Sequence, residues 1–194
     1  MSVRLDRFHN QKFERGRPAW VEGVWLTVQA LLVASWLPGS WHRRVLLRAF
    51  GARIGRGVVI KPGVRVKFPW RLVIGDHAWI GEDVWIDNLD QIAIGSHCCI
   101  SQGAYLCTGS HDWASPRFDL ITGSIAIEDG AWICARAMVG PGVRVGAGAV
   151  LTATSFAAHD LAAWSINQGL PSQRIGTRKI SGEAIVAMPA GSRA

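Results

Sequence analysis

The sequence predicts an all-β fold, a single-stranded parallel β-helix of hexapeptide repeats with a helical cap at its N-terminal end. The first observation is that an aliphatic residue recurs every six positions. The second is that a small or β-branched residue stands four positions after most of them, and the third is that glycine often follows them directly. The sixteen aliphatic positions are Ile54, Ile60, Val66, Leu72, Ile74, Ile80, Ile86, Ile92, Ile94, Ile100, Leu106, Ile127, Ile133, Val139, Val145 and Leu151.

A period of six belongs neither to an α-helix, which repeats every ~3.6 residues, nor to an ordinary strand, which repeats every ~2. It is typical of a β-helix in which six residues form one short strand and a corner, and three such units complete one triangular turn. The aliphatic side chain then points into the narrow interior with the small residue beside it. Glycine eases the corner, where a positive φ strains other residues.

Shifts in the phase of the repeat mark one corner as special. Turns begin at residues 54, 74, 94, 127 and 145, so the first two turns contain 20 residues instead of 18. The extra residues fall in the third hexapeptide, 66–73 and 86–93, and the third turn has its 15-residue excess in the same place. The sequence therefore predicts one widened corner that ends in a loop over residues 108–124. Long loops on rigid scaffolds often carry function.

Three segments follow from this pattern. Residues 1–53 form an N-terminal cap, in which residues 18–50 are helical with a break at Pro38-Gly39. The cap is expected to cover the open first turn, because solenoid ends need covering. Residues 54–159 form the β-helix with its inserted loop. Residues 160–194 form an exit segment and tail, of which the last dozen residues are expected to be poorly ordered.

Composition and charge exclude several classes of protein. The chain has 194 residues, 49% hydrophobic and 18% charged, which excludes a disordered protein. The net charge of +7 is uneven: +11 over residues 1–75, −8 over 76–129 and +4 over 130–194. This alternation argues against a nucleic-acid binder, which keeps its basic charge on one continuous surface. The four cysteines lack CxxC spacing and are expected to be reduced thiols, which suits the cytoplasm.

Neither a secretory signal nor a membrane span is expected. The first 18 residues are polar and mixed in charge. The most apolar stretch, Val24 to Leu37, is 14 residues long and interrupted by polar residues. A span needs roughly 18–20 residues.

The loop contains His111, the strongest candidate for chemistry. Histidine titrates near neutral pH and is therefore a natural general base, although a plain surface histidine is the simpler interpretation. His77 and His97 stand 20 residues apart and so lie on successive turns, which makes a zinc enzyme similar to the trimeric β-helix carbonic anhydrases a rival class. The His-x4-His pair that zinc enzymes of this fold use is missing from the sequence, so we expect no metal. A non-catalytic scaffold is the remaining alternative.

Several motifs beyond the repeat accompany this histidine: Leu47-Arg-Ala-Phe-Gly51, Val59-Ile-Lys-Pro-Gly-Val64, Trp85-Ile-Asp-Asn88, Ile100-Ser-Gln-Gly-Ala-Tyr-Leu-Cys-Thr-Gly109 and Gly169-Leu-Pro171. Over roughly residues 1–180 the chain resembles the hexapeptide-repeat O-acetyltransferases, most closely the colanic acid biosynthesis branch. The resemblance implies a left-handed β-helix, a homotrimer, and acetyl-CoA bound in the groove between neighbouring prisms. It implies transfer to a sugar hydroxyl in exopolysaccharide biosynthesis. An N-acetyltransferase acting on serine or an aminosugar is the closest alternative.

The resemblance also implies roles for single residues. His111 takes the proton from the acceptor hydroxyl, Asp112 orients it, and backbone N–H groups near Ala135 stabilise the oxyanion. Asp87 and Asn88 are expected to contact the acceptor, with an Asx turn at the corner as the structural alternative.

Contacts to coenzyme A are implied for the backbone near Ala135 and Ala153 and for the side chains of Arg174, Arg178 and Lys179. The sequence departs from the family at Cys134, where glycine is usual, and at Ala158-His159-Asp160, where Thr-Lys-Asp is common.

One further expectation concerns a peripheral membrane contact. From Gly23 to Gly75 the chain contains no acidic residue but nine Lys or Arg, together with an apolar, Trp-bearing helix. Such a segment is able to lie on an anionic membrane, here the inner face of the cytoplasmic membrane. The alternative is that the helix only caps the β-helix and that the charge faces solvent.

Overall fold

The fold is a triangular β-helix with a helical N-terminal cap, as the sequence predicts. The structure is a computed structural model that describes residues 3–9 and 13–181. Helices α1 (Ala19–Val28) and α2 (Trp41–Ala49) flank a π-helical turn (Gln29–Val33), and 3-10 turns span Leu5–Arg7 and Pro69–Arg71. The strands are, in chain order, β1 (Arg53–Ile54), β2 (Val59–Ile60), β3 (Arg65–Val66), β4 (Leu72–Ile74), β5 (Trp79–Ile80), β6 (Trp85–Asp87), β7 (Ile92–Ile94), β8 (Cys99–Ile100), β9 (Tyr105–Cys107), β10 (Gly109–His111), β11 (Leu120–Thr122), β12 (Ile125–Ile127), β13 (Trp132–Ile133), β14 (Met138–Val139), β15 (Arg144–Val145), β16 (Val150–Leu151), β17 (Phe156–Ala157), β18 (Ser165–Gly169) and β19 (Ser172–Thr177).

Parallel sheets form the faces of the prism. Face A contains β1, β4, β7, β12 and β15; face C contains β3, β6, β9, β14 and β17. Face B contains β2, β5, β8, β13, β16 and β18, with β19 paired antiparallel at its end. Each turn of the chain passes from A to B to C, so the corners are named AB, BC and CA.

Stacking in register builds the core. Ile54 pairs with Ile74, Ile74 with Ile94, Ile94 with Ile127 and Ile127 with Val145, so one column of side chains runs along face A. All sixteen positions of the repeat are buried, at 9% exposure or less. Truncating one of these side chains to alanine leaves a cavity and costs about 2–5 kcal/mol.

The CA corner is the widened one, as the phase shifts predict. In the third turn it opens into the antiparallel hairpin β10–β11, where His111 pairs with Leu120 and Gly109 with Thr122. The sequence predicted a loop over residues 108–124, and part of that loop forms this two-stranded ribbon. The strand β10 consists of Gly, Ser and His, which have little strand propensity, so pairing with β11 rather than local preference makes it a strand.

The cap closes the first turn of the prism. Trp25, Val33 and Leu47 are buried in the same core as the β-helix. The edge of the first turn would otherwise present unpaired backbone groups. Trp25 Nε1 donates to the carbonyl of Val66 at 2.8 Å, and the Val66 N–H donates to Gln29 Oε1 at 2.5 Å. No helix in the described ranges combines the length and apolar character that crossing a bilayer requires.

Several arginines of the cap also serve this edge. Arg44 Nη1 donates to the carbonyl of Val58 at 2.7 Å, and Arg48 Nη2 donates to that of Ile54 at 2.7 Å. Part of the basic charge between Gly23 and Gly75 therefore has a structural explanation: it caps carbonyls that lack a neighbouring strand.

Face B continues beyond residue 159. The strand β18 pairs with β16, and β19 folds back on β18, so the sheet extends to Thr177. The expectation of a poorly ordered tail concerns residues that lie outside the described ranges.

Candidate active site

The hairpin presents His111 at the CA corner. Its half-buried imidazole stacks on the ring of Phe118, with centroids 4.2 Å apart and planes inclined by 7°. Nδ1 lies 2.8 Å from the carbonyl oxygen of Phe118. Phe118 adopts a left-handed φ of 54°, an uncommon conformation for a bulky residue that is often associated with functional sites. The turn of the hairpin thus brings both the ring and the carbonyl of Phe118 to His111.

This hydrogen bond selects the tautomer of His111. A carbonyl oxygen only accepts, so Nδ1 carries the proton that it donates to Phe118. The neutral ring then has its lone pair on Nε2. An imidazole held in this way can accept a proton at Nε2 while its orientation stays fixed.

The N-terminal segment reaches the same hairpin. The N–H of Arg4 donates to the carbonyl of Pro116 at 2.9 Å. The ring of Phe8 contacts His111 edge-on, with centroids 5.5 Å apart. Phe8 and Phe118 therefore enclose the imidazole between the N-terminal segment and the hairpin. Sequence analysis missed both residues, because their contacts with His111 are formed by folding and no motif marks them.

Asp112, expected to orient His111, has a different contact. Its Oδ1 accepts the N–H of Ala114 at 2.9 Å, which caps the turn at the tip of the hairpin. The group that holds the imidazole is the backbone carbonyl of Phe118. Adjacent residues on a strand point to opposite faces, which accounts for the separation of the two side chains.

Asp87 belongs to a polar column on face C beside the CA corner. Tyr105 Oη donates to Asp87 Oδ2 at 3.1 Å, and Lys67 Nζ lies 3.7 Å from Asp87 Oδ1. Burial raises the pKa of Tyr105 far above its usual range, so the phenol remains a donor. Cys107 pairs with Asp87 one turn further along. The 20-residue spacing of Lys67, Asp87 and Cys107 is a sequence signal that could have identified this column.

Asn88, the other expected acceptor contact, is fully buried. Its Oδ1 accepts the N–H of Phe68 at 2.9 Å, and its Nδ2 donates to the carbonyl of Phe68 at 2.6 Å. Both ends of the amide are therefore engaged with the backbone of the preceding turn. The structure gives Asn88 the corner-stabilising role, which was the structural alternative, although through Phe68 rather than through an Asx turn.

Ala135 and Ala153 lie one above the other at the BC corner. The neighbouring N–H groups of Arg136 and Thr154 donate to backbone carbonyls, at 2.9 Å and 3.0 Å. In the described part of the chain, the N–H groups of Ala135 and Ala153 have no such acceptor. The equivalent residues of the earlier turns are Pro62, Glu82 and Gln102. Alanine leaves the backbone open at these two levels, which fits a ligand that hydrogen-bonds to main-chain groups.

The basic residues expected to contact coenzyme A are dispersed. Arg178 Nη1 donates to the carbonyls of Gly130 and Gly148, at 2.8 Å and 3.1 Å. Both glycines belong to the AB corner. Arg174 lies on β19, where Nη2 donates to Thr177 Oγ1 at 2.8 Å. Lys179 is exposed just beyond β19. Arg178 is thus held away from the alanines of the BC corner.

Within one chain, the candidate groups occupy two edges of the prism. His111 and Asp87 lie at or beside the CA corner, and Ala135 and Ala153 lie at the BC corner. Face C separates these corners, and its six or so residues span about 20 Å at 3.3 Å per residue. One chain alone does not bring His111 to the alanine backbone.

The comparison with known proteins decides the family. No family model matches the chain. A protein of Escherichia coli named as the colanic acid biosynthesis acetyltransferase WcaF is 42% identical over 176 residues, which cover 90% of this chain and 96% of that protein. The chain belongs to the WcaF acetyltransferase family. Its reaction class is therefore acyl transfer.

Other acetyltransferases are similar to this WcaF-family protein in sequence or in fold. A chloramphenicol acetyltransferase of Morganella morganii is 33% identical over 113 residues, 47% of this chain and 54% of that protein. A hexapeptide-repeat acetyltransferase of Vibrio cholerae, solved with acetyl-CoA, has a TM-score of 0.77 at 23% identity and covers 88% of this chain and 98% of its own. A galactoside acetyltransferase solved with coenzyme A has a TM-score of 0.73 at 18% identity, covering 82% and 81%.

The zinc alternative for the WcaF-family chain rests on His77 and His97. His77 and His97 stack with ring centroids 5.3 Å apart, as their spacing predicts. Among the described residues, however, no group of three His, Cys, Asp or Glu side chains is close enough to hold an ion. The two rings belong to a column of positive-φ corner residues, at 56° and 57°.

Proposed function

We propose that the protein transfers the acetyl group of acetyl-CoA to a sugar hydroxyl in the biosynthesis of a colanic-acid-like exopolysaccharide, with His111 as the general base. The observation that carries this proposal is the hydrogen bond from His111 Nδ1 to the Phe118 carbonyl, which leaves Nε2 as the basic atom. The relationship to WcaF supports a polysaccharide acceptor. A base is needed because a sugar hydroxyl is a poor nucleophile until it loses its proton during attack.

In the proposed reaction, Nε2 of His111 takes the hydroxyl proton while the acceptor oxygen attacks the thioester carbonyl carbon. The C–O bond forms, and the carbonyl becomes a tetrahedral oxyanion. The N–H of Ala135 is the proposed donor to that oxyanion, since it has no backbone acceptor in the described chain. Collapse breaks the C–S bond, and the imidazolium returns its proton to the departing thiolate. The products are an acetyl ester and free coenzyme A.

Asp87 is the proposed acceptor contact. Its side chain is 13% exposed, its Oδ2 is fixed by Tyr105, and its Oδ1 has only the more distant Lys67 ammonium beside it. A fixed carboxylate oxygen with spare capacity suits a sugar hydroxyl as donor. Asn88 has no such capacity, so it has no part in this proposal.

The proposed active unit is a homotrimer with shared sites. His111 of one copy would meet the BC corner of a neighbour, which removes the separation of about 20 Å within one chain. An outward column of Trp85, Tyr105, Met138 and Phe156 supports this packing, because it runs along face C, which lies between the two corners, and is largely apolar.

Complementation tests this sharing. An H111A chain and an A153W chain, each expected to be inactive, should recover activity when mixed and reassembled, because some sites then combine an intact histidine with an intact corner. Absence of recovery, together with light scattering that shows an active monomer, would contradict the shared site.

We also propose that the protein is located in the cytoplasm, where thiols stay reduced. The four cysteines are free thiols, which supports this location.

The reaction itself is tested by chromatographic detection of coenzyme A released from acetyl-CoA with candidate glycans. Mild alkali then separates the two chemistries, since it removes an O-acetyl ester but leaves an N-acetyl amide. NMR of an alkali-labile product identifies the modified hydroxyl. An alkali-stable product would instead show N-acetyl transfer.

A further inference from the structure

The helical cap exposes an unusually large apolar surface. This apolar cap surface consists of the outward side chains of α1, the π-helical turn, the connection over residues 34–40 and α2. Its tryptophans are Trp20, Trp36 and Trp41, exposed at 72%, 77% and 70%. Its aliphatic members are Val24, Leu26, Leu31, Leu32, Leu37 and Val45, all exposed by more than a third. Contiguous exposed apolar surface on a folded protein marks an interaction site.

The charge around this surface is one-sided. The segment from Gly23 to Trp41 contains no charged residue, and no acidic residue occurs from Gly23 to Gly75. Glu22, the one acidic residue of α1, is paired with Arg15. Arg17, Arg48 and Arg53 are exposed beside it. The surface therefore combines an uncharged apolar centre with a basic margin.

Three of the nine basic residues between Gly23 and Gly75 have acidic partners in the structure. Arg56 pairs with Asp76 at 3.2 Å, and Lys61 lies 3.7 Å from Glu82. Lys67 is paired with Asp87. These cations lie along the β-helix and have anionic partners. Among the described residues, Arg44, Arg48 and Arg53 at the cap have no acidic partner, and Arg65 and Arg71 on the β-helix have none either.

We propose that the apolar cap surface docks on the surface of an anionic lipid bilayer. Tryptophan favours the boundary between the hydrocarbon and the headgroups, where its ring is buried and its N–H stays wet. Aliphatic side chains between the tryptophans enter the acyl boundary, and the marginal arginines face anionic headgroups. The helix α1 has ten residues, about 15 Å, so it lies along the bilayer and does not cross it.

A second copy of the chain fits this surface less well. The cap closes one end of the prism, whereas the proposed trimer packs prisms side by side. Two copies joined at their caps would also bring the exposed Arg17, Arg48 and Arg53 of both copies together, and Glu22, the one carboxylate of α1, is already paired with Arg15. The docking proposal is independent of the proposed reaction, because it involves none of the residues assigned to acetyl transfer.

Vesicle flotation of the full-length protein tests the proposal. Vesicles of phosphatidylcholine with phosphatidylglycerol should carry the protein at low salt, and vesicles of phosphatidylcholine alone should carry much less. A W36S/W41S variant should bind at least tenfold more weakly, as expected when large apolar side chains no longer insert. An R17Q/R53Q variant should lose about fivefold per arginine on anionic vesicles only.

A W113S variant is the matched control, because Trp113 is 86% exposed but lies on the hairpin instead of the cap. It should float like the wild type. Circular dichroism and coenzyme A release in solution verify that the cap variants are folded. Equal flotation of wild type and W36S/W41S would overturn the proposal. So would self-association in the absence of vesicles that W36S/W41S abolishes, since the surface would then bind a second copy.

Discussion

Replacing Arg43 should strongly destabilise the protein, although Arg43 is far from the active site. Its side chain is fully buried and has no acidic partner among the residues that the structure describes. Its guanidinium instead donates to the carbonyls of Val33, Ser35, Leu37 and Gly39, at 2.8 Å, 2.5 Å and 2.9 Å for the first three. One side chain thereby holds the whole connection between the π-helical turn and α2.

The expected magnitude follows from where those carbonyls lie. In R43M, the carbonyls of Ser35, Leu37 and Gly39 belong to partly or fully exposed residues, so water can replace the guanidinium there. The carbonyl of buried Val33 remains unpaired, which costs about 1–3 kcal/mol. Loss of the other charge-assisted bonds adds to this cost, and removing a buried charge offsets part of it. We expect a net loss of about 2–4 kcal/mol.

Thermal and urea unfolding of R43M measure this loss. For a chain of this size, each kcal/mol lowers Tm by about 2–4 °C. The control is R53M, since Arg53 is exposed and close in sequence; it should unfold within about 0.5 kcal/mol of the wild type. If the free energy of unfolding of R43M falls by less than about 1 kcal/mol, the reasoning is refuted, because the connection between the π-helical turn and α2 would then be stable without Arg43.

Three further predictions concern single side chains. Burial raises the pKa of the Cys98 thiol from 9.0 to about 11. As pH rises, the unfolded chain therefore loses this proton before the folded chain does. The free energy of unfolding should fall by up to about 3 kcal/mol between pH 9 and pH 11. A C98V variant should flatten that part of the stability curve in urea titrations, and an unchanged slope would contradict the assignment. The N88L variant leaves the backbone N–H and carbonyl of Phe68 without hydrogen-bond partners, so its free energy of unfolding should fall by at least about 1 kcal/mol. Its KM for the acceptor should be unchanged. A raised KM without destabilisation would instead indicate that Asn88 binds the acceptor. D112A should retain kcat within about threefold, because the Phe118 carbonyl orients His111, whereas a loss of general-base size, about 10²-fold or more, would return that role to Asp112.

The fold was predictable because a β-helix repeats one local rule. Each turn places an aliphatic residue at the same point of each face, so period and phase in the sequence translate directly into register, as Ile54, Ile74 and Ile94 illustrate. The phase shifts located the widened corner for the same reason. The hairpin itself was not predictable, since Gly109 and Ser110 carry no strand preference and pair only because β11 returns beside them.

The candidate site was predictable only as far as the repeat reaches. His111 stood out because it interrupts the repeat, and Ala135 and Ala153 follow from the family resemblance. The contacts of Phe8 and Phe118 with His111 depend on long-range folding. The burial of Asn88 also results from folding. Nothing in the sequence distinguishes Asn88 from its neighbour Asp87 as a possible acceptor contact.

The measurement that tests the central claim most directly is the turnover of H111A with acetyl-CoA and a confirmed glycan acceptor. Loss of the base should lower kcat by about 10²–10⁴-fold. Coenzyme A affinity and unfolding temperature should be nearly unchanged, because the proposal assigns coenzyme A to main-chain groups of the BC corner and the imidazole is only half-buried. The fall should appear in kcat rather than in KM, since proton transfer belongs to the transition state. An H111A enzyme that keeps a tenth or more of wild-type turnover would contradict the account.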